Sequence, residues 1–269
     1  MMHLLPASMV EKPWGRDTLP QPFVAPAGQA IGEVWFDPPP ALPDLLVKYI
    51  FTSENLSVQV HPSDAQTLAQ GLGRQGKEEC WLVVEARPGA QIGIGFNEPL
   101  SPEALRVAAQ DGSIEALMTW YPVSAGDFFY IPANTVHAIG AGVSLIEVQQ
   151  NSDITYRLYD YGRPRALHLD AGTAVARGEP YPAECRRFVP ADAAVTLVEG
   201  PIFRLDQIIG MPEPAVAARY QRDPLLVIPR SGAVMVDGVR VGVGGCALVA
   251  SIDGLEPDVR AACLIAQPI

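Results

Sequence analysis

Basic residues are scarce. The 269-residue chain carries 19 Lys and Arg against 30 Asp and Glu, a formal net charge of −11 at pH 7. A chain this acidic is repelled by nucleic acid and by anionic membrane, so neither is an expected partner. A small anionic substrate stays compatible if Arg or Lys is placed locally at its site. Cysteine is scarce as well: Cys80, Cys185, Cys246 and Cys263, none spaced as CxxC, read as small buried hydrophobes. No stretch of about 18 apolar residues exists, so no membrane-spanning helix is expected. The opening MMHLLPASMVEKPWG has only a short apolar run, broken by Pro6. No export signal is therefore expected, and a cytoplasmic location with reduced thiols follows. Histidine is equally rare: His3, His61, His137 and His168, with none after residue 168. The last third therefore lacks His-based chemistry.

Hydrophobic residues at 48% and charged residues at 18% make an ordinary globular balance. The 26 prolines and 24 glycines are scattered, as punctuation between short strands and turns. The first forty-odd residues read as Pro-rich and irregular, interrupted by one strand over 31–36 (IGEVWF). Strands are expected over 45–52, 56–60, 79–85, 91–96, 127–131, 144–149 and 155–159. Alternation in LSVQV puts Ser57 and Gln59 on one face. Ser101 followed by Pro102 and Glu103 is a helix-start signature, and a second short helix is expected over 113–119. After about residue 180 strand-like runs continue (AVTLVE, FRLDQII, LLVIP, CALVAS), which points to a second β domain.

The chemistry-bearing residues lie in three places. In Gln59-Val60-His61 the first and third residues of a strand point the same way, so an amide oxygen and an imidazole face a common point. Lys77-Glu78-Glu79 opens the next strand. His137 follows the loop IPANTV. Two neutral imidazoles, a carboxylate and an amide oxygen form an N/O ligand set suited to zinc, and also to manganese, iron or cobalt. His168 reads as structural or surface.

The stretch from Gly126 to His137 (GDFFYIPANTVH) resembles the second motif of the cupin superfamily, with Asn134 where that motif has Gly; Asn is the next best residue for a left-handed backbone. QVH followed by Glu79 resembles the first cupin motif with Gln in place of its first His. SVQVHPSD, GKEECW, PANTVHAIG and EVQQNSDITYRLYDYGR, in that order, resemble the type I mannose-6-phosphate isomerase family in its short bacterial form. The resemblance covers roughly residues 10–170.

That resemblance implies an all-β fold of two cupin-type (jelly-roll) β-barrel domains: a catalytic, metal-binding domain over 1–185 with a helical insertion at about 101–119, and a degenerate second domain over 186–269. It implies one Zn2+ per chain, other divalent metals being compatible, held by Gln59, His61, Glu79 and His137. It implies active-site roles for Arg157, ten residues after Glu147, for Glu147 itself and for Lys77, two before the ligand Glu. The implied activity is interconversion of mannose 6-phosphate and fructose 6-phosphate by proton transfer through an enediolate, on a small hexose phosphate. Oligomeric state is not legible. A cupin oxygenase, which also uses two His and a carboxylate, and a non-catalytic sugar-binding cupin are the alternatives; Gln59 argues against the first, and the lack of a helix-turn-helix or basic stretch against the second.

Overall fold

The computed structural model describes residues 4–220 and 223–269, so His3 lies outside the described residues. The strands of the first part are β1 (Ala7–Arg16), β2 (Ile31–Phe36), β3 (Leu45–Phe51), β4 (Val58–Val60), β5 (Glu79–Ala86), β6 (Gln91–Phe96), β7 (Met118–Pro122), β8 (Asp127–Ile131), β9 (His137–Ile139), β10 (Val143–Gln150), β11 (Tyr156–Tyr159) and β12 (Arg186–Phe188). They form a seven-stranded sheet, β1-β2-β3-β10-β5-β8-β12, and a five-stranded sheet, β11-β4-β9-β6-β7. Later come β13 (Val195–Glu199), β14 (Phe203–Ile209), β15 (Leu225–Ser231), β16 (Ala233–Val236), β17 (Val239–Gly242), β18 (Ala247–Val249), β19 (Leu255–Pro257) and β20 (Ala262–Pro268). These pair as β13-β14-β20-β15-β18 and β17-β16-β19. The all-β expectation holds, with the sheets facing each other in pairs, as in a jelly roll, and not closed by hydrogen bonds into a barrel.

The seven-stranded sheet is buried on both faces, and period-2 alternation sorts its residues between them. Val47, Tyr49 and Phe51 of β3, Ile146 and Val148 of β10, and Cys80 and Leu82 of β5 pack with Leu205, Ile228 and Leu264 of the later sheet. On the opposite face, Ile50, Trp81, Val83 and Leu145 pack with Ile92, Ile94 and Ile139 of the five-stranded sheet. Lys48, Glu147 and Glu79 share this second face by their parity. They are buried charges in largely apolar strands, and buried charges need partners.

The outer face of the five-stranded sheet is covered by helices. Ser101 caps α2 (Pro102–Asp111) as the sequence predicts, accepting from Ala104 N–H, and Gly112 ends it in the left-handed conformation. The second expected helix is shorter than read: α3 (Ile114–Leu117) gives way to β7 at Met118, which pairs with Phe96. Leu105, Ala108 and Ile114 pack with Val58, Val60 and Leu158 beneath them. No helix among the described residues is long and apolar enough to cross a membrane.

Two local readings need correction. The N-terminal stretch is not irregular: β1 runs ten residues and pairs antiparallel with β2 through two register shifts. Pro13 is tolerated there because β1 is an edge strand, where a missing N–H breaks no ladder. A helix, α1 (Asp64–Ala69), follows His61 directly, started by a capping box between Ser63 and Gln66.

Candidate metal centre and cavity

The centre lies between the two facing sheets. β4 and β9 supply one side, and the start of β5 supplies the other. Gln59 pairs with His137 across β4 and β9 and with Arg157 across β4 and β11. His61, just past β4, brings a second imidazole beside that of His137, and its carbonyl accepts from the Asn134 N–H at 2.8 Å. Asn134 has φ 75°, the left-handed turn expected of this position, and it aims the chain into His137. Its amide also donates to Gln66 Oε1 at 2.7 Å, tying the β8–β9 loop to the cap of α1.

His61, Glu79 and His137 are fully buried, and each offers one ligand atom within 4.8 Å of the others. Glu79 Oε1 is 3.3 Å from His137 Nε2, and Oε2 is 3.7 Å from His61 Nε2. The Gln59 amide nitrogen is 3.2 Å from His137 Nε2; a half-turn of that amide presents its oxygen at the same place. Nδ1 of His61 meets the Ile154 carbonyl at 2.8 Å, and Nδ1 of His137 meets the Thr135 carbonyl at 2.9 Å. A carbonyl only accepts, so Nδ1 holds the proton in both rings and Nε2 is left as a bare lone pair at the centre. Burial first, then the Lys77 charge, holds His61 well below its ordinary range and pushes His137 down to about 3. Neutral imidazoles are the form that ligates a metal.

Burial and the neighbouring Glu147 charge raise the Glu79 carboxyl to about 7, against the pull of Lys77. Both Glu79 oxygens are buried without a well-directed hydrogen-bond donor, although the Lys77 ammonium lies 2.6 Å from Oε2. The same ammonium is 3.1 Å from His61 Nε2. A buried carboxylate facing two unprotonated nitrogens is costly to leave unsatisfied. The donor set therefore fits a divalent cation of the zinc, manganese, iron or cobalt kind. His61, Glu79 and His137 would hold it directly, with Gln59 as the fourth donor.

A cavity of about 300 Å³ opens beside the centre, and Gln59, Lys77, Glu147 and Arg157 line it. Glu147 accepts from Trp81 Nε1 at 2.9 Å and faces Lys48 at 3.2 Å. Burial opposes its ionisation, but Lys48 and Lys77 outweigh burial and pull its carboxyl down to about 2. Lys48 was not legible as a site residue, yet it also lines this cavity, donates to Gln149 at 2.6 Å and sits 4.6 Å over the Trp35 ring. The available signal was a lone Lys inside the apolar run LLVKYIF. Arg157 donates through Nε to the Ala166 carbonyl at 3.1 Å, and burial with the nearby Arg165 lowers its pKa. Asp153 lines the cavity but makes no ion pair with Arg157 among the described residues. His168 is not a plain surface residue: it lines the cavity too and is bound to the Arg157 backbone on both sides, its N–H on the Arg157 carbonyl at 2.8 Å and its Nδ1 accepting the Arg157 N–H at 3.2 Å.

Two facing sheets gather two imidazoles, a carboxylate and an amide beside a cation-rich cavity, which defines a β protein with a candidate metal site. Within that class, the chain resembles the mannose-6-phosphate isomerases, in sequence over part of its length and in fold along nearly all of it. It is 48% identical over 132 residues to the mannose-6-phosphate isomerase of Streptococcus mutans, covering 47% of this chain and 41% of that protein. It is 44% identical over 131 residues to the mannose-6-phosphate isomerase ManA of Bacillus subtilis, covering 46% of this chain and 41% of the relative. The matched segment thus spans less than half the length of these relatives. The crystal structure of mannose 6-phosphate isomerase from Bacillus subtilis superposes over 99% of both chains with a TM-score of 0.75 at 21% identity. A variant of phosphomannose isomerase from Salmonella typhimurium superposes over 99% of both chains with a TM-score of 0.72 at 15% identity. These two likenesses concern the fold. No protein-family model matches the chain.

Proposed function

We propose that this chain is a zinc-dependent aldose-ketose isomerase that interconverts mannose 6-phosphate and fructose 6-phosphate. The observation that carries the reading is the buried donor cluster of His61, Glu79 and His137, with Gln59 beside it, opening onto a cavity lined by Lys77, Glu147 and Arg157. The relatives named above support the substrate.

The reaction moves one proton. It leaves C2 of the aldose, an enediolate forms across C1 and C2, and a proton is delivered to C1 while the C2 oxygen becomes the ketone. Negative charge collects on oxygen and must be met by fixed cations. A bound divalent ion supplies Lewis acidity and orientation for the substrate oxygens. Arg157, without a carboxylate partner among the described residues, stabilises the enediolate. Lys77, kept protonated by Glu79 and Glu147 against the opposing effect of burial, donates to a substrate oxygen. Glu147 stays ionised, held so by the charges of Lys48 and Lys77.

The division of labour belongs to the same proposal. Residues 1–185 carry the site and 186–269 support it, although β12 (186–188) pairs with β8 and so sits in the site-bearing sheet. A cytoplasmic location is part of it too; the four cysteines are free thiols, which a reducing compartment preserves.

The test is a coupled assay of mannose 6-phosphate conversion before chelation, after chelation and after zinc is restored. Activity lost with chelator and regained with zinc is expected. A tightly bound metal with no isomerisation moves the reading to another sugar phosphate or, with oxygen uptake, to an oxygenase.

A further inference from the structure

The cavity has cations on two sides of the metal centre, and their pairing differs. Lys12 faces Glu33 at 3.0 Å, Lys48 faces Glu147 at 3.2 Å and Lys77 faces Glu79 at 2.6 Å. Each of these charges is already met inside the cavity wall, and Glu33 and Glu147 would repel an approaching anion. The segment from Arg157 to His168 is different. Arg157 makes no ion pair among the described residues, and its one side-chain hydrogen bond goes through Nε, leaving both terminal nitrogens free of protein acceptors. Arg165 grips the buried Asp160 through Nε at 2.6 Å and Nη2 at 2.7 Å, which fixes the guanidinium while Nη1 remains unused. His168 spends Nδ1 on accepting the Arg157 N–H, so the proton of the neutral ring is on Nε2, a donor. Burial and the Arg157 charge keep that ring neutral. All three residues line the one cavity.

Position agrees with charge. Arg157 is the cross-strand neighbour of Gln59, and His168 is bound to the far edge of Arg157 like one more strand. His168 therefore lies two strand spacings, about 10 Å, from Gln59. A six-carbon sugar whose carbonyl end is at the metal centre reaches that far with its other end.

We propose that Arg165 and His168, beside Arg157, form the subsite for the anionic end of the substrate, a phosphoryl group. This deepens the isomerase reading and rests on it for the carbonyl end alone. Guanidinium groups and an N–H donor suit phosphoryl oxygens, and a guanidinium already fixed by a carboxylate loses little freedom on binding.

The test is calorimetric titration of the purified chain with inorganic phosphate and with mannose 6-phosphate, with metal content measured in parallel. His168→Ala is expected to weaken both ligands about tenfold while metal content stays at the wild-type level. Arg165→Lys keeps a charge for Asp160, and so the fold, but loses the fork; it is expected to weaken both ligands several-fold. Lys12→Met is expected to leave phosphate affinity unchanged. Wild-type affinity in both His168→Ala and Arg165→Lys overturns the subsite, as does loss of phosphate binding in Lys12→Met or a wild-type chain that binds neither ligand. Phosphate binding that follows the expected pattern in a chain without isomerase activity would leave the subsite standing and remove the isomerase. Turnover with variants that bind phosphate as the wild type does would remove the subsite alone.

Discussion

Gln59 and His137 stand directly opposite each other on β4 and β9, and their side chains meet at 3.2 Å, amide nitrogen to Nε2. The pairing makes the amide a reserve donor at the centre. Replacing Gln59 by Leu keeps the volume and removes the donor. Metal affinity is expected to fall about 10–100-fold, by analogy with the loss of other groups that support a metal ligand. His137→Ala is expected to lose more, because it removes a proposed direct ligand. Competition with a chromogenic chelator checks both, and unchanged affinity in Gln59→Leu would remove Gln59 from the donor set.

Arg157→Ala is expected to lower kcat by about 10²–10³, the usual cost of one stabiliser of developing oxyanion charge. Metal content should be unaffected, since Arg157 is not among the donors. Full turnover in this variant with metal bound would end its assignment.

The metal-stripped chain should lose stability in acid in a defined window. Unfolded histidines titrate near 6.5, whereas His137 in the fold does so at about 3 and His61 also well below 6.5. Below pH 6.5 the unfolded chain therefore binds protons that the folded one refuses, and stability falls as pH falls. Glu79 acts in the opposite sense between about 7 and 4.5, because its raised folded value lets the native state take a proton first. Two histidines outweigh one carboxyl, so the urea midpoint should decline from pH 6.5 and decline faster below 4.5. The slope is bounded by about 1.4 kcal/mol per pH unit for each histidine. A flat midpoint over pH 6.5–4.5 would contradict the burial of these rings as neutral groups.

Gly76 precedes Lys77 at the lip of the centre. A Cβ there would come 2.3 Å from the Pro62 carbonyl oxygen, and the next residue's N–H donates to that same oxygen at 2.9 Å. Neither backbone can retreat cheaply. Gly76→Ala is expected to destabilise the fold by about 1–3 kcal/mol, the common cost of overpacking, and to shift Lys77 away from Glu79. Chemical denaturation measures the first effect and the pH profile of turnover the second.

Much of this molecule is legible in its sequence because the signals are local. Alternation in LSVQV placed Gln59 correctly relative to Val58 and Val60, and Ser101-Pro102 marked a real helix start. The cupin-like loop placed Asn134 in the left-handed conformation it adopts. The misses have a shared cause, which is pairing at long range. The strand β1 carries a proline and looks like loop until its partner β2 is known. Lys48 becomes a site residue only because β10 sets Glu147 opposite it. His168 has no motif of its own; a backbone contact with Arg157, eleven residues earlier, brings it to the cavity.

The seven-stranded sheet has apolar side chains on both faces, one toward the centre and one toward the later sheet that carries Leu205, Ile228 and Leu264. Such a partition wall belongs to two rooms at once. Melting the histidine-free part would strip one face of Tyr49, Phe51 and Leu82, whose other neighbours in the same strands carry Lys48 and frame Glu79. Heat or denaturant should therefore empty the metal centre and unfold the later sheets in a single cooperative step, and a lesion such as Leu264→Ala, far from any ligand, should be felt as earlier release of the ion.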